Sequence, residues 1–296
     1  MTRGHSPTVR RRRLAAELRR LRDAAGLTIE DVAVRLECSG SKVSRIETNQ
    51  VGCTPRDARD MLELYGVPEA EADALVQLAR DARRKGWWHA YSDVFTGSFV
   101  GLEAEADSLH TYQALLVPGL VQTEDYMRAV FRASWPEDTE AAIEQRVKGR
   151  LLRQELLTDV DPPRYWAVID EAALYRPVGG AEVIRAQLDH LVKLVSAMPH
   201  LTLQVLPFSA GAHAAMEGPF LILGFPEPAD PDVVYVENTT AKGYLEEPGD
   251  VDRYRLMFDH LRAAALSPDA TLTRISAMAD RYAKWHAGNG EVVERR

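Results

Sequence analysis

Apolar positions recur along residues 28–47 at Ile29, Val32, Ala33 and Leu36, and then at Val43 and Ile46. The first four share one face at the 3.6-residue period, and the last two begin a second, shorter face. Thr28 with Asp31 three places on has the form of a capping box, which starts the first helix. Only Glu37-Cys38-Ser39 separates the two faces. That leaves room for a tight turn, with Ser39 placed to cap the second helix. Ala33 is small enough for the helices to cross closely.

The same period continues on both sides. A helix is predicted from Val9 to about Ala25, with Leu14, Leu18 and Leu21 inward, arginines on its other faces and Gly26 at its end. Thr54-Pro55-Arg56-Asp57 supplies an N-cap, a proline at N1 and an acid at N3. The helix it opens carries Met61, Leu62 and Tyr65 and stops at Gly66. A fifth runs from Pro68 to Lys85 with Leu75, Leu78 and Ala79 inward. Residues 1–85 therefore read as an all-α, five-helix domain behind an unstructured stretch at 1–8.

Beyond it the pattern changes. Residues 86–101 (GWWHAYSDVFTGSFVG) are aromatic and small, with no sustained period, and read as an ordered linker whose tryptophans dock on a second domain. Trp87, Trp88, Tyr91, Phe95 and Phe99 suit an interdomain seam, or equally a groove. Helices are then predicted over 102–111, 123–131 and 137–157, the last being the longest, with a turn at 116–122. After Asp161-Pro162-Pro163, alternating or short apolar runs predict strands at 165–170, 201–206, 220–225 and 233–237. Between and after them come helices at 181–197, 250–265 and 267–286. Residues 102–288 thus read as an α+β domain with a small, mostly antiparallel sheet, and residues 289–296 as a loose tail.

Charge divides the chain the same way. Residues 1–50 carry 11 Lys/Arg against 6 Asp/Glu, a net of +5, whereas the whole 296-residue chain is at −8, which leaves −13 for the remainder. A basic head on an acidic body points the head alone at a polyanion. The two cysteines, Cys38 and Cys53, make no disulfide framework. No apolar run reaches the roughly 18 residues of a spanning helix, and Arg10–Arg13 is followed by no signal-peptide core. The expectation is a cytoplasmic protein without a membrane partner. No HExxH, zinc-finger spacing, phosphate loop or GxSxG elbow occurs, so no cofactor, metal or enzymatic activity is expected. Asp170-Glu171 at a strand end, with His190 or His213 in reach, is the nearest thing to a catalytic group. Acids after a strand are more often caps.

Two helices joined by so tight a turn form a helix-turn-helix layout, in which the second helix is offered to the DNA major groove. Arg45 is the side chain in that segment able to make a bidentate contact to guanine, and the alternative is a pair with an acid on its own head. Ser41 and Ser44 bond to either base type, and Gly40 lets the backbone approach. The helix order, the segment ECSGSKVSRIETNQ and the TPRD start resemble the Cro/repressor (XRE) helix-turn-helix family. That resemblance implies that Gly40, Ser41, Ser44 and Arg45 face base edges. It also places Thr28, Lys42, Thr48 and Asn49 near phosphates, and pairs Arg22 with Glu47. One residue departs from the family: Glu37 stands where glycine is favoured because φ is often positive.

Residues 87–284 carry a second resemblance. VPGLVQTEDYMRAV, RLLRQELL, IDEAALYRPVGG, AQLDHL, LQVLPFSAGAHAAMEGPFLIL and DVVYVE resemble, in order, the antitoxin-like C-terminal domain of actinomycete regulators of the WhiJ type. The resemblance implies a transcriptional regulator, often encoded beside a small partner protein. The expected partners are double-stranded DNA, a second copy of the chain in a homodimer, because one recognition helix contacts few base pairs, and a small neighbour-encoded protein or an unknown small ligand. The rival is an antitoxin that neutralises a small protein and binds DNA to regulate itself. Ser209, Gly211 and His213, small residues around one histidine between two strands, mark either a pocket or partner loop or a flexible hairpin.

Overall fold

The computed structural model describes residues 7–83, 99–226 and 230–287. The expected docking of Trp87 and Trp88, most of the linker, the tip of the 226–232 turn and the loose tail lie outside the described residues. The rest divides into two compact units. The first takes the described residues up to Glu105, together with Asp230, and the second the remainder from Ala106.

Five helices build the first unit: α1 (Pro7–Ala24), α2 (Ile29–Arg35), α3 (Gly40–Glu47), α4 (Pro55–Leu64) and α5 (Glu69–Asp81). The helical period holds throughout, and α1 begins at Pro7, two residues before the expected start. Leu14, Leu18, Val32, Val43, Ile46, Met61, Leu62 and Val76 meet in one core. Gly26 adopts φ 69° after α1, and Leu27 N–H returns to Arg22 O at 3.2 Å. This is the left-handed C′ residue that lets the chain leave the helix without a Cβ clash. A sixth short helix, α6 (Phe99–Glu103), packs on α1 and belongs to the same unit.

The second unit holds a six-stranded mixed sheet. Its strands are β1 (Ser108–Gln113), β2 (Arg164–Asp170), β3 (Leu201–Leu206), β4 (Phe220–Gly224), β5 (Val233–Glu237) and β6 (Lys242–Leu245), in the order β3-β2-β1-β4-β5-β6. Strands β1, β2 and β3 run parallel, while β4, β5 and β6 pair antiparallel. This corrects the expectation of a small, mostly antiparallel sheet. The sheet is larger and partly parallel, because two strands escape the sequence pattern. One is β1, which takes the last four residues of the predicted helix at 102–111. Its neighbours on both sides bury Leu109, Thr111 and Tyr112 alike, so no clean alternation marks it, and the helix ending at Glu103 gives way before its ladder bonds begin. The other is β6, a four-residue edge strand with no fully buried side chain.

The remaining helices are α7 (Glu124–Ser134), α8 (Glu140–Gln154), α9 (Ala172–Tyr175), α10 (Ala181–Ala197), α11 (Pro248–Ala264) and α12 (Pro268–Ala287). Helix α12 has 20 residues and α8 has 15, so the 137–157 segment is not the longest: its end tightens into a 3₁₀ turn at Glu155–Thr158. On one sheet face Tyr112, Val168, Phe220, Ile222 and Val234 pack with Val251, Phe258 and Leu261 of α11. Leu109, Ala167, Ile169, Leu203 and Leu223, on the other face, are equally buried. The exposed edge of β3 is closed by the α11–α12 connection: Leu266 N–H donates to Val205 O at 2.8 Å, and Val205 N–H to Thr271 Oγ1 at 3.0 Å. Such covering keeps a sheet edge from pairing with another chain. No described helix is long and apolar enough to cross a membrane.

Candidate nucleic-acid interface

The α2–α3 pair is held by caps at every end. Thr28 N–H donates to Asp31 Oδ2 at 2.9 Å and Asp31 N–H to Thr28 Oγ1 at 3.1 Å, the reciprocal box that the sequence suggests. Hydrogen bonds from Thr28 hold the Asp31 carboxyl below its usual range. Helix α2 ends at Leu36, and Glu37 then takes φ 48°. That is the left-handed conformation favouring glycine, and a side chain there costs on the order of 1 kcal/mol. Cys38 N–H reaches back to Ala33 O at 2.9 Å, and Ser39 Oγ accepts from Lys42 N–H at 3.2 Å to begin α3.

The inner side of α3 is locked to the core. Val43 and Ile46 are buried, and Glu47 joins them as a buried charge. Arg22 of α1 meets it with Nε 2.8 Å from Oε1 and Nη2 3.0 Å from Oε2, a two-pronged pair, while Nη1 donates to Leu27 O at 2.7 Å. Arg22 is 8% exposed and Glu47 6%. The bond to Glu47 raises the Arg22 guanidinium further, and burial, followed by the Glu47 charge, pushes the nearby Tyr65 hydroxyl up. The planar fork of arginine suits this double contact in a way a lysine would not.

Its outer side is polar and open. Ser41 and Arg45 are exposed, Gly40 and Ser44 half-buried. Arg45 touches only its own helix, Nε donating to Ser41 O at 3.3 Å, and makes no ion pair with a carboxylate among the described residues. The four residues expected at base edges thus share one short helix whose opposite side is fixed.

The four expected near phosphates are differently placed. Thr28 Oγ1 donates to Asp31 Oδ2 at 2.7 Å, and Thr48 Oγ1 donates to Ser44 O at 2.7 Å, so both hydroxyl protons have partners within the head. Asn49 adopts φ 56° as the left-handed residue after α3, and Gln50 N–H closes on Arg45 O at 2.8 Å. Its carbonyl accepts from Arg11 Nη2 at 3.3 Å, and its Oδ1 is buried without a hydrogen-bond partner. Lys42 lies with Nζ 2.6 Å from Asp57 Oδ1. Asp57 is a residue that sequence reasoning used only as a helix start. Its acid at N3 of the TPRD cap was the available signal, but nothing in the sequence places it against a lysine 15 residues earlier. Cys53 is buried beside this pair, and burial pushes its thiol up to about 12, which leaves it a poor nucleophile. Both cysteines are free thiols.

The second unit gathers its candidates at the carboxyl ends of β1 and β2. His213 Nδ1 accepts from Ala215 N–H at 3.2 Å, which puts the ring proton on Nε2, 3.3 Å from the Tyr112 hydroxyl. Burial, and then the charge and hydrogen bond of Asp170, push that hydroxyl up. Tyr112, which sequence reasoning missed, thus meets His213 at its hydroxyl and feels the Asp170 charge. Glu171 turns away from it, accepting from Phe208 N–H at 2.8 Å and from Arg274. His190 is on α10, and burial lowers it. The His213 loop carries Ser209 in a 3₁₀ turn and Gly211 at φ 65°. The Asp170 carboxylate also accepts from Ala172 N–H at 2.8 Å.

A core-anchored helix offered after a tight turn defines the class: the first unit is a helix-turn-helix domain, the fold of DNA-binding transcription regulators. Residues 13–75 match the family described as a helix-turn-helix domain. Residues 96–277 match the family described as a domain of unknown function, DUF5753, and because that match spans more than half the chain, the protein belongs to this family. No curated protein and no solved structure matches the chain.

Proposed function

We propose that this chain is a sequence-specific, non-enzymatic transcriptional regulator that reads the major groove with α3 and is controlled through its C-terminal domain. One observation carries the reading. Arg45 stands exposed and unpaired by acid on the outer side of a helix whose inner side is clamped by Val43, Ile46 and the Arg22–Glu47 pair. In this reading Gly40, Ser41, Ser44 and Arg45 approach base edges. Thr28, Thr48 and Asn49 lie beside the backbone, and Lys42 joins them only by leaving Asp57. One such helix contacts few base pairs, so two heads of a homodimer would engage half-sites about one helical turn apart.

The test is Arg45→Ala. A bidentate guanine contact is worth roughly 1–3 kcal/mol of discrimination, or about 5- to 150-fold. The variant should lose that much on a duplex selected from random sequence, while its binding to random duplex changes little. Equal losses on both would reduce Arg45 to a phosphate contact.

A second reading, an antitoxin-like protein that neutralises a small partner and regulates itself, is favoured by a separate observation. Phe208 and Met216, on either side of the Ser209–His213 loop, are 58% and 67% exposed, and exposed apolar side chains suit a protein contact. Arg45→Ala that abolishes operator binding yet leaves neutralisation of a co-expressed partner intact would favour this reading.

A further inference from the structure

Lys42 and Asp57 are placed by backbone caps, not by chance encounter of flexible ends. Lys42 is the third residue of α3, and its own N–H is bonded to the Ser39 cap. Asp57 is the third residue of α4, behind Thr54 at the N-cap and Pro55 at N1. Thr54 Oγ1 donates to Asp57 Oδ2 at 2.7 Å and accepts from Asp57 N–H at 3.0 Å, which aims the other carboxylate oxygen at Lys42 Nζ, 2.6 Å away. The Lys42 and Asp57 side chains are 42% and 24% exposed. Pairs with this much solvent contribute little to stability, so the bond to Lys42 adds little to the cap that Asp57 already makes with Thr54.

The geometry points to Asp57 as a positioning residue that withholds the Lys42 ammonium from the DNA backbone, a brake on sequence-independent binding. The inference rests on the DNA-binding reading above. A lysine that neutralises a phosphate releases counterions and tightens binding to every sequence alike. An ammonium already paired brings no net charge, and it must surrender its carboxylate before it can serve. The bond to Asp57 raises Lys42. Burial pushes Asp57 up, but the bonds from Lys42 and Thr54 outweigh it and leave the carboxyl low. Both groups are therefore ionised around neutral pH, and the pair persists there.

The experiment measures full-length protein on a selected duplex and on a random one, from about 50 to 200 mM salt. Asp57→Asn should tighten both on the order of two- to five-fold at the low-salt end and steepen the log–log salt slope by about 0.9. The gain then shrinks about three- to four-fold across the range. Adding Lys42→Gln to Asp57→Asn should return both affinity and slope to wild type. An unchanged slope in Asp57→Asn overturns the inference. So does a gain that survives in the double variant, since the carboxylate would then act by repulsion alone. Asp57→Ser serves as a second variant that keeps a short hydroxyl for Thr54. A wild type that prefers no duplex sinks the regulator reading but leaves the slope comparison on random DNA intact. A wild type that binds no DNA at all removes both.

Discussion

Glu47→Ala is the perturbation that most directly probes how α3 is held. In the native unit the Glu47 carboxylate takes three hydrogen bonds from Arg22, and both side chains are nearly withdrawn from water. Removing one partner of a buried pair costs about 3–5 kcal/mol, because the survivor's charge stays desolvated. Here the stranded guanidinium keeps two contacts, Leu27 O at 2.7 Å and Asp23 at 2.7 Å. Asp23 is mostly exposed, and its pull is screened by solvent. The expected loss is therefore about 2–4 kcal/mol. For a unit of this size that corresponds to a fall in melting temperature of roughly 10–30 °C. Because the chain also carries a second unit, the assay is hydrogen exchange of peptides covering residues 40–47 and 58–65. Amides in both should lose protection together, because α3 and α4 share one core. Replacing both partners, with Arg22→Met and Glu47→Leu, should restore most of it, since nothing charged is then left buried. A loss below about 1 kcal/mol in Glu47→Ala, or a double variant no better than the single, would refute the argument.

Two further outcomes follow from particular residues. Glu37→Gly should stabilise the first unit by about 0.5–1 kcal/mol in thermal unfolding, because a left-handed φ of 48° is strained for any side chain with a Cβ; a destabilisation would mean that the Glu37 side chain earns its place by a contact. His110 is stacked on Phe258 at 5.0 Å, and burial, then the Arg262 and Arg164 charges, holds its pKa below the ordinary 6.5. The unfolded chain then takes up this proton first, so stability is full above pH 6.5 and declines as pH falls toward the lower folded value. His110→Phe should flatten that decline in urea titrations between about pH 6.5 and 5, and an unchanged slope would clear His110 of it.

The local rules read well where a residue's job is done within a few neighbours. Thr28 with Asp31, Ser39 before α3, Thr54 with Pro55 and Gly26 after α1 all act through their own backbone, and each is a recognisable signal in the chain. Glu37 stands out only against the glycine that the family resemblance implies, and the three-residue turn then sets its conformation. Thr48 and Asn49 show the limit. Their residue types suit phosphate, but whether a hydroxyl proton is already spent on Ser44 O, or an amide is turned inward, depends on atoms placed by folding.

What the chain alone determined is the basic helical head, its caps, its turn and the identity of the outward residues on α3, because period 3.6 and capping chemistry are one-dimensional signals. Tertiary structure alone decided which groups are spoken for. It brought Asp57 to Lys42 across 15 residues, Tyr112 between Asp170 and His213 across about 100, and β1 into the middle of a sheet that its local composition argues against. The physical reason is common to all three. A ladder bond, an ion pair or a buried hydroxyl is fixed by distance in space, and residues remote in sequence acquire that distance only when the cores beneath them close.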